Sequence, residues 1–192
     1  DGRAPWGMGG PCTVDGVSYA ALDNFLQCSF ELGGVQWTSA EQYFQAAKFL
    51  DPGYREQIRG CHDGDACWSL GNTRAFLIRD DWEAVKVDVM YEANKAKFMA
   101  PGNEALRDAL LSTGRGRIQA YGFPFWAKWN GILLERIREE LRPAAGAEGG
   151  GQVDGLVRDD AVLRQRTEAM ETYKREQREL LAAGTGVGCC VE

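Results

Sequence analysis

Between Thr38 and Leu50 the chain reads TSAEQYFQAAKFL, and this run leaves few folds open. Thr38 or Ser39 can cap a helix that runs to about Leu50, and Asp51-Pro52-Gly53 supplies the stop. At 100° per residue Glu41, Phe44, Gln45 and Lys48 share one stripe. Tyr43, Ala46, Ala47, Phe49 and Leu50 cover the other sides. A helix apolar nearly all round is a buried helix. It needs a body large enough to enclose it, and 192 residues, about one domain's worth, provide that. A buried Glu and a buried Lys are expensive unless they are paired or used. Either Glu41 and Lys48 link to one another, with Lys48 snorkelling outward as a variant, or they belong to a site.

The rest of the body is also mainly helical. Val14 to Tyr19 and Phe30 to Trp37 read as short strands, the second turning at Gly33-Gly34. Asp51-Pro52 can cap a short helix from Tyr54 to Cys61, and Ala66 to Gly71 reads as another. Asp80 or Asp81 opens a helix from Trp82 to Phe98. Asn103 starts one from Glu104 to Ser112, and Gly131 to Leu141 is the last of the body. Residues 143–155 (PAAGAEGGGQVDG from Pro143) read as a flexible linker. Leu156 to Ala183 carries many charges and sparse apolar positions, so it is either a mostly solvated helix or one docked by a thin stripe. A frayed tail ends the chain. The expected architecture is a mainly α body over 11–142 with a small N-terminal β element, the linker, and an appended charged helix and tail over 156–192.

Composition removes several classes of function. The net charge of −6 argues against binding nucleic acid through a general basic field, though not against one nucleotide in a pocket. His62 is the single histidine, so multi-His metal sites and His relays are excluded by counting. The six cysteines lack paired zinc-site spacing and come with no visible secretory leader, so free thiols are expected, with no metal and no cofactor. No run approaches the ~18 apolar residues of a membrane span. The expected location is intracellular and cytoplasmic; Asp1 stands where a Met would begin a chain, which leaves a removed presequence open.

Two further clusters invite chemistry. Tyr121-Gly-Phe-Pro-Phe-Trp126-Ala-Lys-Trp129 reads as a loop of five rings, either a core plug or a platform that stacks a flat heterocycle. Thr113-Gly-Arg-Gly-Arg117 is either a solvated turn or, through its backbone N–H groups and guanidinium forks, a phosphate holder.

Leu22-Asp-Asn-Phe25, Phe30…Gly34 and Trp37-Thr-Ser-Ala-Glu-Gln-Tyr-Phe-Gln-Ala-Ala-Lys-Phe49 together resemble the YbiA-like, or NADAR, family. The likeness continues through Ile58, Gly71, residues 78–90, Lys97-Phe98, Leu111-Ser-Thr-Gly114 and Gly131-x-Leu-Leu…Ile137-Arg, covering about residues 20–142. The resemblance implies a compact, mostly α fold. It also implies cleavage of the bond between ribose C1 and an amine nitrogen. The substrate would be a riboflavin-pathway intermediate that releases ribose 5-phosphate, or alternatively ADP-ribosyl-guanine. It casts Glu41 as the carboxylate that stabilises charge at C1 or activates water. Lys48 would orient Glu41, meet phosphate, or form a Schiff base with an opened sugar. Asn24 and Gln45 would bind ribose hydroxyls, Trp82 and Trp126 would stack on the base, and Arg74 and Arg79 would clamp phosphate. The partner is thus a small ribosylated, nucleotide-like substrate.

The chain departs from the family pattern at Gln42, where the family has His, and at Gln119, where it has an acid. An Asp expected shortly before a glycine-rich Trp-Gly loop is also missing, because the stretch Phe123-Pro-Phe-Trp126-Ala-Lys-Trp129 is shortened. A pocket that binds a nucleotide without cutting it is the alternative these losses raise.

Overall fold

The computed structural model describes residues 11–144 and 157–184. Nearly all of the expected linker, and the tail with Cys189 and Cys190, lie outside the described residues.

Two small antiparallel hairpins come first among the described residues. β1 (Cys12–Val14) pairs with β2 (Val17–Tyr19), and β3 (Phe30–Leu32) pairs with β4 (Val35–Trp37). The expected single strand Val14–Tyr19 is broken because Asp15 and Gly16 both take positive φ, 49° and 80°, which makes a tight reversal. Gly33 and Gly34 turn the second hairpin as expected, at φ 66° and 75°.

Seven α-helices follow among the described residues. In α1 (Ala40–Ala47) the Ser39 hydroxyl accepts from the Gln42 N–H at 3.1 Å. This helix ends three residues before Leu50, because Phe49 leaves it to bridge Ile78. Asp51 caps α2 (Pro52–Arg59) and Asp63 caps α3 (Gly64–Gly71), each through its own carboxylate. The longer α4 (Trp82–Met99) and the short α5 (Glu104–Ser112) match their expected spans to within a residue.

α6 (Pro124–Leu141) begins seven residues before the expected Gly131. Pro124 sits in its first turn, where the missing N–H costs no intrahelical bond and the fixed φ suits a helix. Phe125, Trp126 and Trp129 are therefore helical residues, not loop residues. Capped by Asp159, α7 (Asp160–Ala182) docks by a thin stripe. Met170 is fully buried, and Tyr173 packs on Phe125 and Trp129 and donates to the Glu83 carbonyl at 2.9 Å. Arg166 to Glu135 (2.7 Å) and Lys174 to Asp88 (2.8 Å) flank that stripe.

α1 lies among α2, α3 and α4, while α4 also packs on α6 and α7. Phe98, Leu110, Leu133 and Ile137 are fully buried between these helices, each contributing about 1.5–3 kcal/mol. The architecture is mainly α, as the resemblance implied. The glycine–arginine turn serves packing. Arg138 donates to Thr113 Oγ1 (2.9 Å) and the Gly116 carbonyl (2.8 Å), Arg142 donates to the Gly114 carbonyl, and Arg115 pairs with Asp159 (2.8 Å). A loop that turns carbonyls toward buried guanidinium groups has the wrong polarity for a phosphate cradle.

Candidate active site

The buried helix α1 does place its polar stripe on a cleft. Glu41, Phe44, Gln45 and Lys48 form its floor with Met90, and Asn24, Phe25 and Asn130 close one end. Trp68 comes from α3 and Asn72 from its C-terminal cap, and Tyr121, Phe123 and Trp126 come from the start of α6 and the turn before it. The cleft is narrow, with a cavity volume of about 60 Å³, below the usual range of small-molecule sites. Glu41 is the single carboxylate and Lys48 the single cation among the described residues that line it.

Glu41 is held from two sides. Its backbone N–H, one of the donors a helix start leaves unpaired, donates to the Asn24 carbonyl at 3.0 Å. Its carboxylate accepts from Gln45 Nε2 at 2.5 Å, one turn along the helix. The side chain is nearly closed off from solvent, at 5% exposure. Burial pushes its carboxyl pKa from 4.5 up to about 7; the Gln45 hydrogen bond and the Lys48 charge oppose that rise. A carboxyl poised near neutrality is suited to exchange protons at physiological pH.

Gly71 supports both neighbours of Glu41. Its carbonyl accepts from Lys48 Nζ at 3.3 Å, and its lack of a side chain makes room for Gln45. A Cβ there would stand 1.8 Å from Gln45 Oε1. Lys48 also lies over the Phe44 ring, 5.5 Å from its centre. Above the floor, Asn24 Oδ1 accepts from Asn94 Nδ2 (3.0 Å), and Asn24 Nδ2 donates to Asn130 Oδ1 (3.3 Å). This chain of amides fixes how Asn130 faces the cleft.

Of the residues singled out in the sequence, the structure brings Asn24, Glu41, Gln45, Lys48 and Trp126 together. The other three do not line the cleft. Trp82 is buried behind Phe44, their ring centres 5.0 Å apart. Arg79 forks onto Asp81 at 2.5 and 2.8 Å, and Arg74 is exposed. Trp68, Asn72 and Asn130 were not anticipated. Asn130 precedes Gly131 in a matched block, whereas nothing in the spacing of Trp68 or Asn72 distinguishes them from packing residues.

Two of the departures from the family pattern, Gln42 and Gln119, fall outside the cleft, whereas the shortened stretch from Phe123 to Trp129 contributes Phe123 and Trp126 to its wall. Gln42 is completely buried on the far side of α1. Its Nε2 donates to the carbonyls of Arg59 (2.8 Å) and Cys61 (3.1 Å), and its Oε1 accepts from the Thr38 N–H (2.9 Å). It therefore ties α1 to the end of α2. Gln119 is exposed, and its backbone exchanges two 2.9 Å hydrogen bonds with Thr13.

A mainly helical body with a buried carboxylate under aromatic walls defines a class, and residues 13–121 match the NADAR domain. The chain belongs to that family. It is similar to N-glycosidase YbiA of Escherichia coli, at 33% identity over 133 residues, covering 64% of this chain and 82% of YbiA. An N-glycosidase of Nostoc punctiforme is 29% identical over 138 residues, covering 65% of this chain and 86% of that protein. A riboflavin biosynthesis protein of Vibrio vulnificus is 30% identical over 138 residues, covering 67% of this chain and 37% of that much longer protein. The solved NMR structure of E. coli YbiA superposes with a TM-score of 0.57 at 34% identity, over 66% of this chain and 80% of that one. No helix among the described residues is long and apolar enough to cross a membrane.

Proposed function

We propose that this protein is an N-glycosidase that hydrolyses the bond between ribose C1 and an amine of a small nucleotide-like substrate, a riboflavin-pathway intermediate that yields ribose 5-phosphate. The observation that carries the reading is Glu41: a nearly enclosed carboxylate, poised near neutral pH, on the floor of a cleft with aromatic walls. The N-glycosidase and riboflavin biosynthesis relatives supply the reaction class and the pathway.

In this mechanism the base lies against Trp126 and Trp68. The C1–N bond breaks with its electron pair going to the amine, and positive charge builds on the ribose. Ionised Glu41 faces that charge and takes a proton from the water that attacks C1. Glu41 is the one carboxylate among the described residues that line the cleft, so the proton it takes from water passes on to the departing nitrogen, which leaves as the neutral amine. Gln45 orients Glu41, since its amide is already engaged there, and Asn24 and Asn130 face the ribose hydroxyls. Lys48 supplies the positive charge for the phosphate and biases Glu41 toward its ionised form. Arg74, Arg79 and Trp82 lie outside the cleft and do not touch the substrate in this mechanism.

The test is release of ribose 5-phosphate from 5-amino-6-ribosylaminouracil 5′-phosphate by the native chain and by Glu41→Gln. Release that disappears in Glu41→Gln is the expected result. Equal release from both refutes the assignment of Glu41. No release by the native chain, with release from ADP-ribosyl-guanosine, moves the substrate to that class. Binding without release from either identifies a pocket that holds a nucleotide without cutting it.

A further inference from the structure

A second reactive feature lies behind the cleft wall. Cys61 follows the end of α2, and Cys67 lies in α3. Each thiol donates to a carbonyl of α2, Cys61 to Gln57 at 3.6 Å and Cys67 to Ile58 at 3.8 Å, and both residues share one apolar cluster with Ile58 and Leu70. The Ile58 carbonyl brings them together, accepting the Cys61 N–H at 3.0 Å and the Cys67 thiol at 3.8 Å. Cys67 is 1% exposed, whereas Cys61 is only half-buried. One thiol is thus open to a small oxidant and the other is held behind it. Neither takes part in the mechanism above, and no group of three or more metal-ligating side chains is found among the described residues.

We propose that Cys61 and Cys67 form an intramolecular disulfide on exposure to hydrogen peroxide, making this junction a reversible oxidation site. The accessible Cys61 sulfur attacks the peroxide, the O–O bond breaks, and a sulfenic acid and one water result. The Cys67 sulfur then attacks the Cys61 sulfur. The S–O bond breaks, and the departing hydroxide takes the Cys67 proton to leave as a second water. Two thiols are oxidised and one peroxide is reduced. Burial raises the Cys67 thiol pKa well above its usual value, which leaves the first attack on peroxide to the more accessible Cys61.

The bond would close the short loop Cys61-His-Asp-Gly-Asp-Ala-Cys67 and pin the start of α3 to the end of α2. Cys67 is followed by Trp68, which lines the cleft, and the Cys61 carbonyl is held by Gln42 of α1. Oxidation would therefore act on elements that also hold the candidate active site, while the site itself stands independently of the proposed activity.

The experiment treats the full chain with hydrogen peroxide, blocks remaining thiols with an alkylating agent, and maps all six cysteines by mass spectrometry. The expected result is loss of about 2 Da across a linked Cys61–Cys67 peptide, reversed by dithiothreitol. Cys61→Ser, with its half-exposed side chain, should keep the fold and lose the link. The proposal is overturned if both cysteines remain alkylated after peroxide. It is equally overturned if Cys61 stops at a sulfenic or sulfinic acid, or if it pairs with another cysteine. Because the readout is mass, failure of the glycosidase assay leaves this result untouched.

Discussion

Gly71→Ala perturbs the candidate site without removing any group that touches substrate. The added Cβ would meet Gln45 Oε1 at 1.8 Å, Cδ at 2.5 Å and Cβ at 2.9 Å, so the Gln45 amide has to move. Its movement breaks the 2.5 Å hydrogen bond to Glu41. A hydrogen bond to a charged group contributes roughly 1.5–3 kcal/mol. At 1.36 kcal/mol per unit this raises the Glu41 pKa by a further ~1–2 units. From a starting value of about 7, the ionised fraction at pH 7 falls roughly 5- to 50-fold. Turnover should fall by the same factor, recover as the pH is raised, and show its acid limb moved to higher pH. Overpacking costs about 1–3 kcal/mol, lowering the melting temperature by roughly 2–12 °C. The assay is the pH profile of ribose 5-phosphate release at 25 °C, with circular dichroism to verify the fold. An acid limb at the native position, in a folded variant with native turnover, would refute the argument that Gln45 sets the Glu41 proton affinity.

Glu41→Gln should make the protein more stable above pH 7. The native carboxyl pKa is raised relative to the unfolded chain, so the folded state binds the extra proton and native stability falls as pH rises from about 4.5 to about 7. Relative to the native protein the variant gains up to about 3 kcal/mol at pH 8 and little at pH 4, read by urea unfolding at both values. Trp126→Ala removes one wall of the cleft and should raise the substrate KM roughly 5- to 150-fold, with a smaller change in kcat. Gln42→Ala removes three hydrogen bonds from a fully buried side chain and should cost about 2–4 kcal/mol in urea unfolding.

The sequence carries the buried helix openly. Ser39 and Asp51 are capping residues in plain view, and the apolar surround of Glu41 and Lys48 foretells burial. What it hides is long-range. Helical periodicity marks Trp68 and Trp82 alike as large residues on helices, and Trp126 reads as part of an aromatic loop. Only packing decides that Trp82 backs Phe44 while Trp68 and Trp126 face the cleft. Pro124 reads as a helix breaker unless the chain before it is known to end there, so the first two turns of α6 pass for a loop. Arg79 has a partner two residues away in Asp81, a pairing that a reading based on family position overlooks. Whether Glu41 meets Lys48 or another group is invisible in spacing, because Gln45, on the same stripe, is as well placed and takes the hydrogen bond.

In the proposed reaction Glu41 is the group that activates water at ribose C1. The direct measurement is single-turnover release of ribose 5-phosphate across pH 5.5–8.5 (roughly the span around the Glu41 value), for the native chain and Glu41→Gln. Native release that rises through an apparent pKa near 7, and is abolished in a folded Glu41→Gln, is the predicted result. Native-like release from Glu41→Gln, with the same rise, would contradict it.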